Sequence, residues 1–276
     1  MGSRIARRLL DAGHELLVWN RDAAKISPLT ELGATRAESP AEAARRAAAV
    51  ITMLSDPPAL AAVTEGPQGL AAGVTERTTV VQMSTVGPDA VSRLASSLPE
   101  SANLLDAPVL GSLSEAEAGT LKIFAGGSLE LVERWRPLLS ILGEILHVGP
   151  VGAGSAAKLV ANTTLLGVLG VLGEALALAD GLALSREAAF DVLGVTALAE
   201  QAQRRRPAVE SGEYPRRFAL SLARKDADLI LEAAARSGTE LRLVKAAREW
   251  LGDAEAAGLG DRDYSAVVAR ILERAG

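Results

Sequence analysis

The 276-residue chain contains no cysteine. That excludes a disulfide framework, a thiolate metal site and a cysteine nucleophile, and it is compatible with a reducing cytoplasm. Histidine is nearly as scarce. His14 sits in a turn and His147 at a strand end; neither has a partner at metal-ligand spacing, so both read as structural and no metal is expected. Basic charge is not in excess: 29 Lys and Arg against 34 Asp and Glu leave a net charge of -5, which argues against a nucleic-acid binder. The short basic run Arg204-Arg205-Arg206 reads as a solvated helix face. There is no basic-then-apolar signal at the start, so a cytoplasmic location is expected. Internal repeats and low-complexity linkers are lacking too. The most apolar stretch, Leu159–Leu184, includes Asn162, Glu174 and Asp180, which a lone membrane span would carry at a cost of several kcal/mol. It reads as a buried helix between domains, with no membrane partner.

What is present is a globular composition, 49% hydrophobic and 23% charged, long enough for two domains. Strand-like segments fall at Glu15–Trp19, Ala48–Met53, Thr78–Gln82, Leu104–Val109, Leu121–Ala125 and Ile145–Val148, with helical patterns such as Ser3–Asp11, Pro40–Ala47, Pro88–Ser97 and Leu129–Leu139 between them. This alternation implies an α/β domain with a mostly parallel, doubly wound sheet. From Gly149 the texture changes to a glycine-rich entry and a long apolar helix. Helical segments then follow at Ser185–Leu193, Ala197–Arg206, Leu222–Ser237, Glu240–Ala256 and Tyr264–Ala275. The expected division is residues 1–148, an α/β domain, and residues 149–276, an all-helical domain.

Several motifs carry chemistry. "MGSRIARRLLDAGHELLVWNR" reads as the second part of a dinucleotide-binding unit: Gly2 opens a helix and the next strand ends at Asn20-Arg21. A dinucleotide fingerprint places an acid near that strand end for the ribose hydroxyls; an arginine there can instead bind a 2′-phosphate. Arg21 thus points to NADP(H), against the plainer reading of a solvated strand end. "STVGPDA", Ser84–Ala90, follows an apolar strand, where ligand loops lie in such sheets; the same residues also suit a helix start with Pro88. In "DAPVLGS", Asp106–Ser112, Gly111 would let backbone N–H groups face a carboxylate, while Asp106 alone reads as structural. "GPVGAGSAAKLVANTT" places Lys158 and Asn162 four apart on one helical face. Lys158 is the only lysine or arginine between Arg136 and Arg186. On so apolar a helix it must find a partner, snorkel to water or act chemically, and an ammonium can donate a proton to a carbonyl oxygen as hydride arrives at carbon. In "FALSLARKDADLIL", Phe218, Lys225 and Asp226 would share a face if the helix begins by Phe218.

Together "VITMLSD", "MSTVGP", "DAPVLGS", "GPVGAGSAAKLVAN" and "RKDADL", in this order and spacing, resemble the signatures of the β-hydroxyacid dehydrogenases, the 3-hydroxyisobutyrate dehydrogenase-like family. The resemblance implies a Rossmann domain, a long interdomain helix and a helical C-terminal domain in a homodimer or homotetramer. It implies NADP(H) as the preferred cofactor, NAD(H) being possible, and a small-molecule carboxylate substrate. It makes Lys158 and Asn162 the catalytic pair. Ser84, Thr85, Gly111, Ser112, Phe218 and Asp226 become substrate ligands. Met1, Gly2, Asn20, Arg21, Leu54, Thr85 and Lys225 become cofactor ligands. The Asn-Arg pair and "APV-x-GS" look most like the NADPH-dependent glyoxylate/succinic semialdehyde reductase branch.

Two features depart from the family pattern. Leu110 stands where the family has a serine, which suggests a substrate larger or less polar than glyoxylate. The family's first strand and the start of its glycine loop are not represented before Met1, so the expectation is a start assigned too late or a truncation. The competing readings are an imine reductase, which usually lacks a lysine at the position of Lys158, and a non-catalytic cofactor-binding or interaction module.

Overall fold

The computed structural model describes residues 1–275. They form two compact units, Met1–Lys158 and Leu159–Gly276.

The strands are β1 Leu17–Val18, β2 Thr35–Arg36, β3 Ala49–Thr52, β4 Thr79–Gln82, β5 Asn103–Asp106, β6 Val109–Leu110, β7 Leu121–Gly126 and β8 Gly143–Gly149. The helices of the first unit are α1 Gly2–Asp11, α2 Ser27–Thr30, α3 Pro40–Arg46, α4 Pro57–Thr64, α5 Pro88–Ser97, α6 Leu113–Ala118 and α7 Leu129–Leu139. Helix α8, Ala153–Gly181, crosses the boundary between the units. The second unit continues with α9 Arg186–Leu193, α10 Ala199–Ser211, α11 Leu220–Ser237, α12 Arg242–Ala254 and α13 Val267–Ala275.

The main sheet runs β3-β4-β5-β7-β6, with β8 added on β7. β3, β4 and β5 are parallel, β7 runs against β5 and β6, and β8 is parallel to β7. β1 and β2 form a separate parallel pair. β4 is buried at all four positions, as expected for a strand flanked by parallel neighbours and covered on both faces. Helix starts follow local chemistry. Ser39 and Asp56 accept from the amides of Glu42 and Ala59 at the heads of α3 and α4, each with proline in the first turn, because proline's missing N–H is not needed there.

Several boundaries differ from the sequence expectation. The strand expected at Leu104–Val109 is two, β5 and β6, both antiparallel to β7 and separated by a break at Ala107-Pro108. β2 has both residues exposed, so no apolar alternation announces it. The helix expected at Ala197–Arg206 runs on to Ser211 through Pro207. That expected at Leu222 begins at Leu220.

The second unit is built around the apolar face of α8. Leu159, Leu166, Leu169, Leu172 and Leu176 are buried with Phe190, Leu220, Ile230, Leu251 and Ile271. By length and composition α8 could cross a membrane, but these side chains form a protein core.

Candidate active site

The carboxyl ends of the parallel strands carry a polar rung. Thr52, Gln82 and Asp106 are register partners across β3, β4 and β5, and all three are buried. Buried polar groups need partners, and these find them in one another and in the adjoining loops. Gln82 accepts from the Ser84 N–H at 2.6 Å and donates to the Ser84 carbonyl at 3.0 Å. Ser84 accepts from the Leu54 N–H at 2.8 Å and donates to the Thr52 carbonyl at 3.3 Å. The Ser84 hydroxyl therefore ties together the loops that follow β3 and β4. The side chain of Leu54 is half-buried, as is that of Thr85, which follows Ser84.

Asp106 is fully buried. One of its oxygens accepts from the Ser155 N–H and the other from the Ser155 hydroxyl, both at 2.7 Å. Burial pushes its carboxyl above the usual range. Hydrogen bonds from Ser155, the Gly152 N–H and Gln82 pull the other way without overcoming it. Lys158 lies one turn beyond Ser155 on α8 and is 8% exposed. Sequence reading missed Gln82 and Ser155; a glutamine closing an apolar strand was the one available signal.

Gly111 follows β6 with φ at +135°. A Cβ there would come within 2.7 Å of Leu121 and 3.0 Å of Glu115, so this turn requires glycine. The backbone N–H and hydroxyl of Ser112 both donate to Glu115, at 2.8 and 2.6 Å. Expected as a substrate ligand, Ser112 thus has its amide engaged at the head of α6, while Gly111 itself is exposed. With the Ser112 hydroxyl as the main cause, these bonds hold the Glu115 carboxyl down at about 2.

Helix α1 has no side-chain cap and no acidic residue in its first turn. Its hydrogen bonding begins with Arg4 N–H to the Met1 carbonyl. Gly2 has Met53 Cβ 3.5 Å from where its own Cβ would sit. An uncapped helix start beside a sheet suits the pyrophosphate of a dinucleotide. Asn20 accepts from the Asp22 N–H at 2.9 Å and so shapes its own turn, while Arg21 is exposed just past β1. These residues fit a nicotinamide dinucleotide.

In the second unit, the Asn162 amide donates to Asp226 at 2.7 Å, and Lys225 pairs with the same carboxylate at 2.7 Å. Asn162 is buried, and its side-chain oxygen has no hydrogen-bond partner among the described residues. That oxygen is the acceptor a ligand donor would complete. Phe218 is not on the helix with Lys225 and Asp226, since α11 starts after it. It is held instead by the Asp263 carboxylate, which accepts from the Arg217 and Phe218 amides at 3.1 Å, and by an edge contact with Tyr264 at 5.3 Å. Asp263 pairs with Arg205, which is 7% exposed. The run Arg204-Arg205-Arg206 is therefore not a solvated face throughout: its middle member is an interior cation.

Two family models divide the chain. The NAD binding domain of 6-phosphogluconate dehydrogenase matches residues 1–152, more than half of it. The NAD-binding domain of NADP-dependent 3-hydroxyisobutyrate dehydrogenase matches residues 152–271. The chain is 32% identical over 271 residues to glyoxylate/succinic semialdehyde reductase 1 of Arabidopsis thaliana, covering 97% of this chain and 94% of that protein. It is 33% identical over 280 residues to 3-sulfolactaldehyde reductase of Escherichia coli K12, covering 100% and 94%. Among solved structures, 3-hydroxyisobutyrate dehydrogenase of Mycobacterium tuberculosis with L-serine superposes with a TM-score of 0.87 at 28% identity, covering 98% and 94%. With its Rossmann-type sheet, its helical second unit and these matches across its length, the chain belongs to the β-hydroxyacid dehydrogenase family of NAD(P)-dependent oxidoreductases.

Proposed function

We propose that this chain reduces a small aldehyde acid with NADPH, or oxidises the matching β- or γ-hydroxy acid, with Lys158 as the proton donor. The carrying observation is Lys158 itself, a buried lysine in the second turn of α8, with the buried Asn162 four residues further along the same helix. When bound, the nicotinamide cofactor supplies or accepts the hydride. Lys158 holds a proton at the carbonyl oxygen, polarises that bond and delivers the proton as charge develops on oxygen. Asn162, fixed by Asp226, offers its side-chain oxygen to a substrate donor.

The relatives' names supply the substrate class: glyoxylate, succinic semialdehyde and 3-sulfolactaldehyde are small aldehydes with an anionic group. The glycine turn at Gly111 and the loop at Thr85 are the proposed anion contacts. Leu110, half-buried at the end of β6, adds apolar bulk beside that turn and favours a substrate longer or less polar than glyoxylate. Arg21 supports NADP(H), because an exposed guanidinium at this strand end can pair with a 2′-phosphate. Steady-state reduction of glyoxylate and succinic semialdehyde with NADPH and NADH, and oxidation of 3-hydroxyisobutyrate with NADP+ and NAD+, test the reading. NADPH-dependent turnover favouring the longer aldehyde acid is expected; no turnover of any member would refute it.

A further inference from the structure

We infer that Asp106, bound by Ser155 and paired in register with Gln82, is a positioning residue that sets the Lys158-bearing turn of α8 against the ends of the parallel strands. The inference rests on the reading of Lys158 as proton donor.

The helix has no acidic residue in its own first turn. The carboxylate at its start comes from β5, 49 residues earlier in the chain, and binds both the amide and the hydroxyl of Ser155 with separate oxygens. An anion at a helix N-terminus is favoured by the unpaired amides and the macrodipole. Two bonds from two oxygens to one residue also fix the turn against both rotation and slip. Close approach makes the fit strict. A Cβ on Gly154 would fall 2.0 Å from the Asp106 carbonyl oxygen and 2.5 Å from that of Phe124. A Cβ on Gly126 would fall 2.7 Å from the Gly154 nitrogen and from the Pro150 oxygen. The turn thus lies directly on the ends of β5 and β7. Lys158 is three residues further on, about 4.5 Å along the helix axis, so any slip at Ser155 is passed on to its ammonium.

The other side of the device is Gln82. Its carboxamide holds the backbone of Ser84 by two bonds, and Gln82, the register partner of Asp106, is among the groups that favour the charged form of that carboxyl. One carboxylate therefore links the loop carrying Thr85 to the helix carrying Lys158. The Ser155 N–H and O–H both donate to that carboxylate, and Gly152 and Gln82 also favour its charged form. Only an acceptor-only group satisfies both Ser155 donors with separate oxygens. Asparagine, nearly identical in shape, would turn an NH2 toward a donor.

The test is a cycle of variants, Asp106→Asn and Ser155→Ala, each made alone and with Lys158→Ala. Each is assayed for turnover, substrate KM and NADPH affinity, and by amide hydrogen exchange on the cofactor-free chain. Misplacing a reacting group by about 1 Å costs up to about a hundredfold. We expect kcat to fall by about 10- to 100-fold in Asp106→Asn and about tenfold in Ser155→Ala, with KM and NADPH affinity nearly unchanged. On the Lys158→Ala background both losses should vanish, since residues acting as a unit are not additive. Exchange at the Ser155 amide should quicken in Asp106→Asn. Wild-type kcat in both variants, or losses that persist undiminished without Lys158, would overturn the inference while leaving the proton-donor reading intact. Full turnover in Lys158→Ala alone would remove both. If Asp106→Asn does not fold, Ser155→Ala decides, because it keeps the carboxylate and its bond to the helix amide.

Discussion

Removing the carboxylate of Asp263 is expected to be among the most damaging single changes in the second unit. Asp263 is 3% exposed. It accepts from the amides of Arg217 and Phe218 at 3.1 Å, from the Ser265 amide at 3.2 Å and from the Ser265 hydroxyl at 2.6 Å. It also faces the Arg205 guanidinium at 3.5 Å. Asp263→Ala leaves that guanidinium buried without its anion and strands four donors. Breaking a buried pair from one side costs about 3–5 kcal/mol, a large part of a total stability of about 5–15 kcal/mol. At about 2–4 °C per kcal/mol for a chain of this size, the melting temperature should fall by roughly 10 °C. The reverse truncation is milder. Arg205→Met leaves Asp263 with its four other donors and loses the hydroxyl of Tyr264 and a stacking contact at 4.9 Å, worth about 1–3 kcal/mol together. Urea unfolding and thermal melts of both variants measure the difference. An Asp263→Ala cost below about 1 kcal/mol, or an Arg205→Met cost equal to it, would refute this account of the cluster.

Two further outcomes are expected. Arg21→Ala should weaken NADPH binding by about tenfold to a hundredfold, the worth of a lost charge-assisted pair, and leave NADH binding nearly unchanged; equal losses in titrations of the two cofactors would end the 2′-phosphate role. Glu115 is held at about 2 by Ser112 and Ser114, a depressed value. Its contribution is therefore complete above the free carboxylate's pKa and is lost as pH falls toward about 2. Glu115→Gln should cost about 1 kcal/mol at neutral pH, with the gap from the wild-type chain closing in acid. A gap that widens on acidification, in urea midpoints measured across that range, would contradict the assignment.

Much of this was legible in the sequence because the signals are local. Pro88 and Ser128 mark the starts of α5 and α7, and both helices end where expected, at Ser97 and Leu139. β4 and β5 read as short apolar runs because nearly all their positions are buried. Lys158 stood out as a lone cation on an apolar helix. Less legible were pairings between distant parts of the chain. Asp106 and Ser155 are 49 residues apart, and Arg205 and Asp263 are 58, so neither pair leaves a periodic trace. Arg205 was misread because a run of three arginines looks solvated, yet the helical turn directs the middle one inward. Phe218 was assigned to the helical face of Lys225 and Asp226 by spacing alone. The β-bridge of Ala219 with Asp263 stops the helix short of it, and no spacing rule records a bridge formed across more than forty residues.

The central claim is that the Lys158 ammonium delivers the proton during carbonyl reduction. The most direct measurement is single-turnover reduction of succinic semialdehyde by NADPH in wild-type and Lys158→Ala protein, with NADPH affinity measured alongside. General acid catalysis contributes about 10²- to 10⁴-fold, so the rate should fall by about a hundredfold or more with cofactor affinity nearly unchanged. A variant that reduces the aldehyde at close to the wild-type rate would contradict the account and make Lys158 a structural residue.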